Sequence, residues 1–369
     1  MFLTASKKTP VVAALKPIAT DRISWVYHAR GLAIMLIVYR HIVLGMQAAG
    51  VPVSQVMYNL QIVFFNFRMP AFFILSGVFI ARSLKRKSRV TVAWNKVSNL
   101  LYPYLLWATI TLVLQIFFRS FSNAHRHGRD FIYIFTQPRA LDQLWYLFAL
   151  FNVSMLYLLL SRVLKKNVWV HIAIAIALHF AAFYLQAYSL FSDFFNFYIY
   201  FLTGALISDY LLNAEWRSHV FKTANLIWIL PLFIIGQWFW FQRVGQWYWV
   251  SKEQAETSNN GAGALEFVYL LINYVGCYVL FKMAMLIERG KYNEWLAYIG
   301  RYSLYVYILH VQVAAIVRKL IRGAYPNVDP WLLLAICFTC GIVLPIILVK
   351  QLRPFGIERL FTLQRKAEA

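Results

Sequence analysis

Ten apolar runs, at roughly 30–49, 58–81, 97–118, 144–161, 168–188, 194–212, 225–243, 265–287, 297–317 and 331–349, divide this chain almost from end to end. About 20 apolar residues in a helix cross the ~30 Å hydrocarbon core of a bilayer. Each run has that length, so the expected fold class is all-α: a polytopic transmembrane helical bundle of about ten spans. The composition agrees, with 61% hydrophobic and 14% charged residues over 369 positions and a mean hydropathy of +0.59, which excludes an ordinary soluble domain. The polar residues 1–24 lack a signal-peptide pattern, so the first run is expected to be a retained helix. Three domains follow: a cytoplasmic basic tail over 1–24, a transmembrane domain over 25–350, and a second basic tail over 351–369.

The net charge of +22 would suggest nucleic acid in a soluble protein. Here it reads as topology signal and contact with anionic membrane lipids, with no nucleic-acid partner. Lys and Arg concentrate in alternate connections. With the N-terminus inside, 23 of them lie on the inner side and 9 on the outer. The excess of positive charge marks the cytoplasmic face, so both termini are expected in the cytoplasm, as an even number of spans requires. Cys277, Cys337 and Cys340 all lie in apolar runs and read as thiols inside the bundle. His125 and His127 lack nearby partner ligands, so no metal is expected.

The first run carries Arg30-Gly-Leu-Ala-Ile-Met-Leu-Ile-Val-Tyr-Arg40-His41. Eleven residues make about three turns and about 16 Å of helix, which places Arg30 and His41 on one face. Ionisable side chains within a bilayer normally face a bundle interior or a watery cavity and mark function. The second run holds Phe67-Arg68-Met69-Pro70-Ala71-Phe72-Phe73-Ile74-Leu75-Ser76-Gly77. Arg68 is a second deep cation, Pro70 should leave backbone groups in need of partners, and Ser76-Gly77 reads as a site of close helix approach. The fourth run opens with Asp142-Gln143-Leu144-Trp145-Tyr146, and acids are scarce near spans in this chain. In the ninth, Ser303, Tyr307 and His310 stand four and three apart, hence on one face.

Taken in order, Arg30-x10-His41, the Phe67–Gly77 motif, Leu144-Trp145-Tyr146-Leu147 and the Ser303–His310 segment resemble the acyltransferase-3 family. These are bacterial integral-membrane acyltransferases, many of which O-acetylate envelope or exported polysaccharides, including a fucose 4-O-acetylase-like branch. The resemblance implies a multi-pass protein of the bacterial inner membrane. It implies acyl-CoA, with acetyl-CoA the expected donor, and a sugar hydroxyl as acceptor on a polysaccharide or a lipid-linked sugar. It also implies that Arg30 and His41 are essential, with His41 at the reaction centre. Two features depart from the family pattern. Lys96 and Asn99 stand where an Arg-x-x-Arg pair often precedes Pro-Tyr, here Pro103-Tyr104, and Tyr27 stands where a carboxylate often precedes the first-span arginine.

Transfer from a thioester to a hydroxyl needs a base, donors for the oxyanion and shelter from water. Histidine, with an unperturbed pKa ≈ 6.5, suits the first task. The expected catalytic set is therefore His41, Arg30, Arg68 and His310. Arg30, Arg82, Arg86 and Lys96 are expected at the coenzyme phosphates, where arginine offers bidentate contacts. Trp145, Tyr146, Asp142, Tyr307 and Ser303 are expected at the acceptor. The rival reading is a transporter or flippase of lipid-linked sugars using the same polar cluster as a path or proton relay. The absence of repeated halves disfavours it, and coenzyme consumption separates the two.

Overall fold

The computed structural model describes residues 24–117, 126–164, 167–185, 187–245, 262–290 and 293–363. Among them every element is helical. In chain order these are α1 (Ser24–Ala48), α2 (Gln55–Val63), α3 (Arg68–Leu84), α4 (Arg89–Lys96), a π-helical turn (Val97–Leu101), α5 (Tyr102–Phe117), α6 (Tyr133–Thr136), α7 (Trp145–Val163), α8 (Val168–Tyr184), α9 (Ser189–Leu206), α10 (Ser208–Leu212), α11 (Ala214–Val220), α12 (Leu226–Trp240), α13 (Ala262–Glu288), α14 (Glu294–Arg301), α15 (Ser303–Ala324) and α16 (Pro330–Leu352).

All ten apolar runs fall on helices. Among the described residues, eight helical segments are long and apolar enough to cross a membrane. The runs at 168–188 and 194–212 fall on α8, which has 17 residues, and α9, whose first turns carry Ser189, Ser192, Asp193 and Asn196. Those polar side chains dilute the apolar character of the first two turns of α9.

The central element is α1, which touches α2, α3, α13, α14, α15 and α16. Its Trp25, Ala29, Ala33, Ile37 and Val38 are buried. Side chains are small where backbones meet. A Cβ on Gly77 of α3 would stand 2.0 Å from the Phe201 carbonyl of α9, and one on Gly204 of α9 would stand 1.9 Å from that of Ile74. The two helices therefore cross backbone to backbone, as small residues permit, and Ser76-Gly77 is a packing site as its sequence suggested.

The second apolar run is not one continuous helix. Ser54 caps α2, its Oγ accepting from Met57 N at 3.3 Å, and the helix stops at Val63. The chain turns through Phe64–Phe67 and α3 begins at Arg68. Pro70 is thus the third residue of a new helix, where no intrahelical N–H partner is needed. The backbone groups it was expected to strand are released by the break instead.

Two connections are more ordered than their composition suggests. Residues 126–144 form short helical turns, with Asp130, Ile134, Pro138 and Leu141 buried and the Tyr104 hydroxyl donating to Ile134 O at 2.5 Å. After α16, the first part of the expected C-terminal tail folds back as two 3-10 turns. Phe361 is buried there against Trp107 and Tyr305. Tyr102 and Trp107 donate to the carbonyls of Arg359 and Leu360, both at 2.9 Å.

Candidate functional site

α1 and α15, both long and apolar enough to cross a membrane, bring His41 and His310 together. The rings of His41 and His310 meet with centroids 5.2 Å apart, inclined at 64°. His310 is fully buried, while His41 is partly open. His310 Nδ1 lies 2.9 Å from Val306 O and 2.8 Å from Tyr307 O. Only a protonated nitrogen can satisfy carbonyl acceptors, so Nδ1 carries the hydrogen. Nε2 is then the lone-pair nitrogen, and it is buried with no hydrogen-bond partner. Ser303, Tyr307 and His310 share a buried face, as their spacing requires, and Ser303 Oγ is a second buried atom with no partner.

Two arginines flank this pair. Arg40 and Arg68 are both buried, and their guanidinium carbons lie 4.4 Å and 4.8 Å from the centre of the Phe65 ring. Cations over an aromatic face are stabilised by the ring's quadrupole, more so when desolvated. Arg40 Nη1 also donates to Gln61 Oε1 at 2.5 Å, and Arg68 Nη1 to Leu36 O at 3.2 Å. Both arginines and His310 are electrostatic neighbours of His41. The α2–α3 break makes this arrangement possible, because it places Phe65 in the turn and Arg68 at the start of α3.

A line of aromatic rings leads from His310 toward Arg30. Tyr307 lies 6.3 Å from His310 and 5.4 Å from Tyr146, centre to centre. Tyr146 packs edge-on to Phe73 at 5.3 Å. Ser76 and Arg30 are its electrostatic neighbours. Arg30, Tyr146, Tyr307, His310 and His41 therefore form one connected set.

The start of α7 is held from several sides. Gln143 Nε2 donates to Ile308 O at 3.2 Å. Arg139 Nε donates to Asp193 Oδ1 at 2.6 Å, with that carboxylate 4% exposed, and the same guanidinium covers Trp145 at 4.2 Å. Asp142 takes φ +57° and ψ −129°, a conformation rare outside glycine. Its Oδ2 accepts from Gln115 at 3.1 Å. Asp142 is exposed at the kink before α7, whereas Trp145 and Tyr146 lie in the aromatic wall.

The residues expected at the coenzyme are more dispersed. Arg82 is partly buried in the last turn of α3, Arg86 is exposed in the following turn, and Lys96 ends α4 partly buried. Among the described residues, no hydrogen bond, ion pair or ring contact joins these three to Arg30. Asn99 bonds the folded-back C-terminal segment, with Thr362 Oγ1 2.7 Å from its Oδ1. Tyr27 lies under Arg301 at 5.4 Å. His125 lies outside the described residues, as do most of the N-terminal tail and residues 364–369. Among the described residues, no group of three or more His, Cys, Asp or Glu could hold a metal ion.

Sequence reasoning did not select Arg40, Phe65, Gln61 or the Arg139–Asp193 pair. Arg40 carried a signal, as a third ionisable residue in an apolar helix. The others depend on a helix break and on contacts between distant segments. Together the site holds a partly buried histidine, a second imidazole of fixed tautomer, two buried cations and a line of tyrosines. That set can accept a proton and stabilise a developing negative charge away from water. A family model described as an acyltransferase domain, that of the acyltransferase-3 family, matches residues 23–350. No curated protein and no solved structure matches the chain.

Proposed function

This chain belongs to the acyltransferase-3 family, and we propose that it moves an acetyl group from acetyl-CoA to a hydroxyl of an envelope or exported polysaccharide or a glycolipid. The reading places it in the bacterial inner membrane with ten spans and both termini cytoplasmic, on the strength of the charge distribution between its connections. The observation that carries the chemistry is the His41–His310 contact beside Arg40 and Arg68.

In this reading His41 is the base. It is the less buried of the two histidines, His310 being fully buried. Bound acyl-CoA supplies the activated thioester. His41 takes the proton of the acceptor hydroxyl as its oxygen bonds to the acyl carbon. Arg68, with Arg40 beside it, stabilises the charge on the acyl oxygen. As the carbon–sulfur bond breaks, His41 returns the proton to the departing thiolate. His310 acts through His41 as a positioning residue, held in one tautomer by the Val306 and Tyr307 carbonyls. Arg30 receives the coenzyme at the cytoplasmic end, with Arg82, Arg86 and Lys96 contributing positive charge there. The orphaned His310 Nε2 and Ser303 Oγ suit the polar groups of a pantetheine arm on the way from Arg30 to His41. Trp145, Tyr146 and Tyr307 wall the path, and Asp142 fixes the kink that presents them.

The test uses purified protein, radiolabelled acetyl-CoA and extracted envelope glycans. Glycan-dependent release of free thiol, with label recovered in the glycan, is expected. Retention of intact acetyl-CoA beside active protein-mediated movement of lipid-linked sugar would replace this reading with transport.

A further inference from the structure

A second polar cluster lies beside Phe65, where the α2–α3 break meets the end of α12. Gln61, Asn66, Gln237 and Trp240 are all more than nine-tenths buried. Gln237 Nε2 donates to Asn66 Oδ1 at 3.3 Å, and Gln61 Oε1 accepts from Arg40. Trp240 stacks on Phe65, centroids 6.1 Å apart and planes 15° from parallel. Four polar atoms are then left over: Gln61 Nε2, Asn66 Nδ2, Gln237 Oε1 and Trp240 Nε1. Each is buried and has no hydrogen-bond partner.

Folded proteins pair their buried polar groups, so a cluster of orphans requires an explanation. Helix packing supplies none, since apolar side chains of similar size would fill the same space without desolvating an amide. The chemistry of the set is specific. Three N–H donors ask for several acceptor oxygens, one carbonyl asks for a hydroxyl donor, and an indole stacked on a phenyl offers a flat apolar platform. A polyhydroxylated ring with C–H faces meets all of these demands. An anion would find Gln237 Oε1 opposing it, and a hydrocarbon chain would leave every orphan unsatisfied.

We propose that Gln61, Asn66, Gln237 and Trp240 form a subsite for one uncharged sugar ring, with Trp240 as its stacking platform. Calling that ring the acceptor rests on the acyl-transfer reading above; the sugar site itself does not. Through Gln61 and Phe65 the subsite adjoins Arg40 and Arg68, and so borders the reaction centre. The subsite is closed over in this structure, and the ring enters as α12 moves away from the break. α12 suits that movement. It packs on α13 and α2, leaves Trp228, Leu232, Ile235 and Trp238 exposed, and carries Pro231 in its interior, which removes a helix hydrogen bond.

The test starts from full-length protein with Cys340→Ala, which removes the partly exposed native thiol and leaves the buried Cys277 and Cys337. Gln237→Cys, or Asn66→Cys if the first does not fold, is treated with a methanethiosulfonate reagent. A panel of methyl glycosides is added as competitors, with glycerol as the control. The introduced cysteine should react, and at least one glycoside should slow the reaction where glycerol does not. With that glycoside as acceptor, Trp240→Leu should raise the acceptor's KM roughly tenfold, the scale of one or two lost net hydrogen bonds. Trp240→Phe, which keeps the stack, should raise it less, and neither should move the KM for acetyl-CoA. An unreactive cysteine, or one that no glycoside protects, overturns the subsite. Protection without any release of thiol from acetyl-CoA leaves the sugar site standing and overturns the acyl-transfer reading instead.

Discussion

The rings of His41 and His310 meet 5.2 Å apart at 64°, and only His310 has its tautomer set by the backbone. The imidazole of His310 is thus a fixed wall against which that of His41 is placed. His310→Ala should lower kcat by roughly 10²-fold, the cost of a small misplacement of a reacting group, with little change in the KM for acetyl-CoA. A purely structural role would instead show as lost thermal stability at unchanged kcat per folded molecule.

Arg68 opens α3 and lies over Phe65 while bonding the Leu36 carbonyl. A lysine keeps the charge but lacks the planar fork that stacks and bonds together. Arg68→Lys should fold and bind acetyl-CoA yet lose about 10²–10³ in kcat, the range for removal of one oxyanion donor. Steady-state kinetics of thiol release would show the split, and an unchanged kcat would remove Arg68 from the charge-stabilising role.

Gly77 and Gly323 make a matched pair for the packing claim. A methyl at Gly77 meets the Phe201 carbonyl at 2.0 Å, whereas one at Gly323 meets nothing within 4 Å. Gly77→Ala should cost about 1–3 kcal/mol or more through overpacking. Gly323→Ala should gain about 0.5–1 kcal/mol from helix preference. Thermal unfolding in detergent measures both, and equal shifts would contradict the crossing of α3 and α9.

Phe361 anchors the folded-back C-terminal segment against Trp107 and Tyr305. Phe361→Ala should destabilise by about 3 kcal/mol, the lower end for a buried phenylalanine. It should also open the segment to proteolysis after α16. Unaltered protease resistance would show that the segment is held by its backbone bonds to Tyr102 and Trp107 alone.

Much of this was legible in the sequence because hydrocarbon imposes a single secondary structure over about 20 residues at a time. The apolar runs and the shared face of Ser303, Tyr307 and His310 follow from that constraint. The break at Phe64–Phe67 did not. Pro70 marks it, but a proline reads equally as a kink inside a helix or as the first turn of a new one, and only tertiary contacts decide. Arg40 was overlooked because it stands one residue from His41, about 100° around the helix, off the face shared with Arg30. The Arg139–Asp193 pair joins segments 54 residues apart, and no local pattern connects them. The segment over 353–363 reads as a basic tail because its docking depends on backbone carbonyls and one buried ring.

The central claim is that His41 is the proton acceptor in acyl transfer. His41→Gln keeps a polar, hydrogen-bonding side chain beside His310 but cannot serve as the base. Glycan-dependent thiol release from acetyl-CoA, measured on folded protein, should fall by about 10²–10⁴, the contribution of a positioned general base. Near-normal release by a well-folded His41→Gln protein would contradict the account.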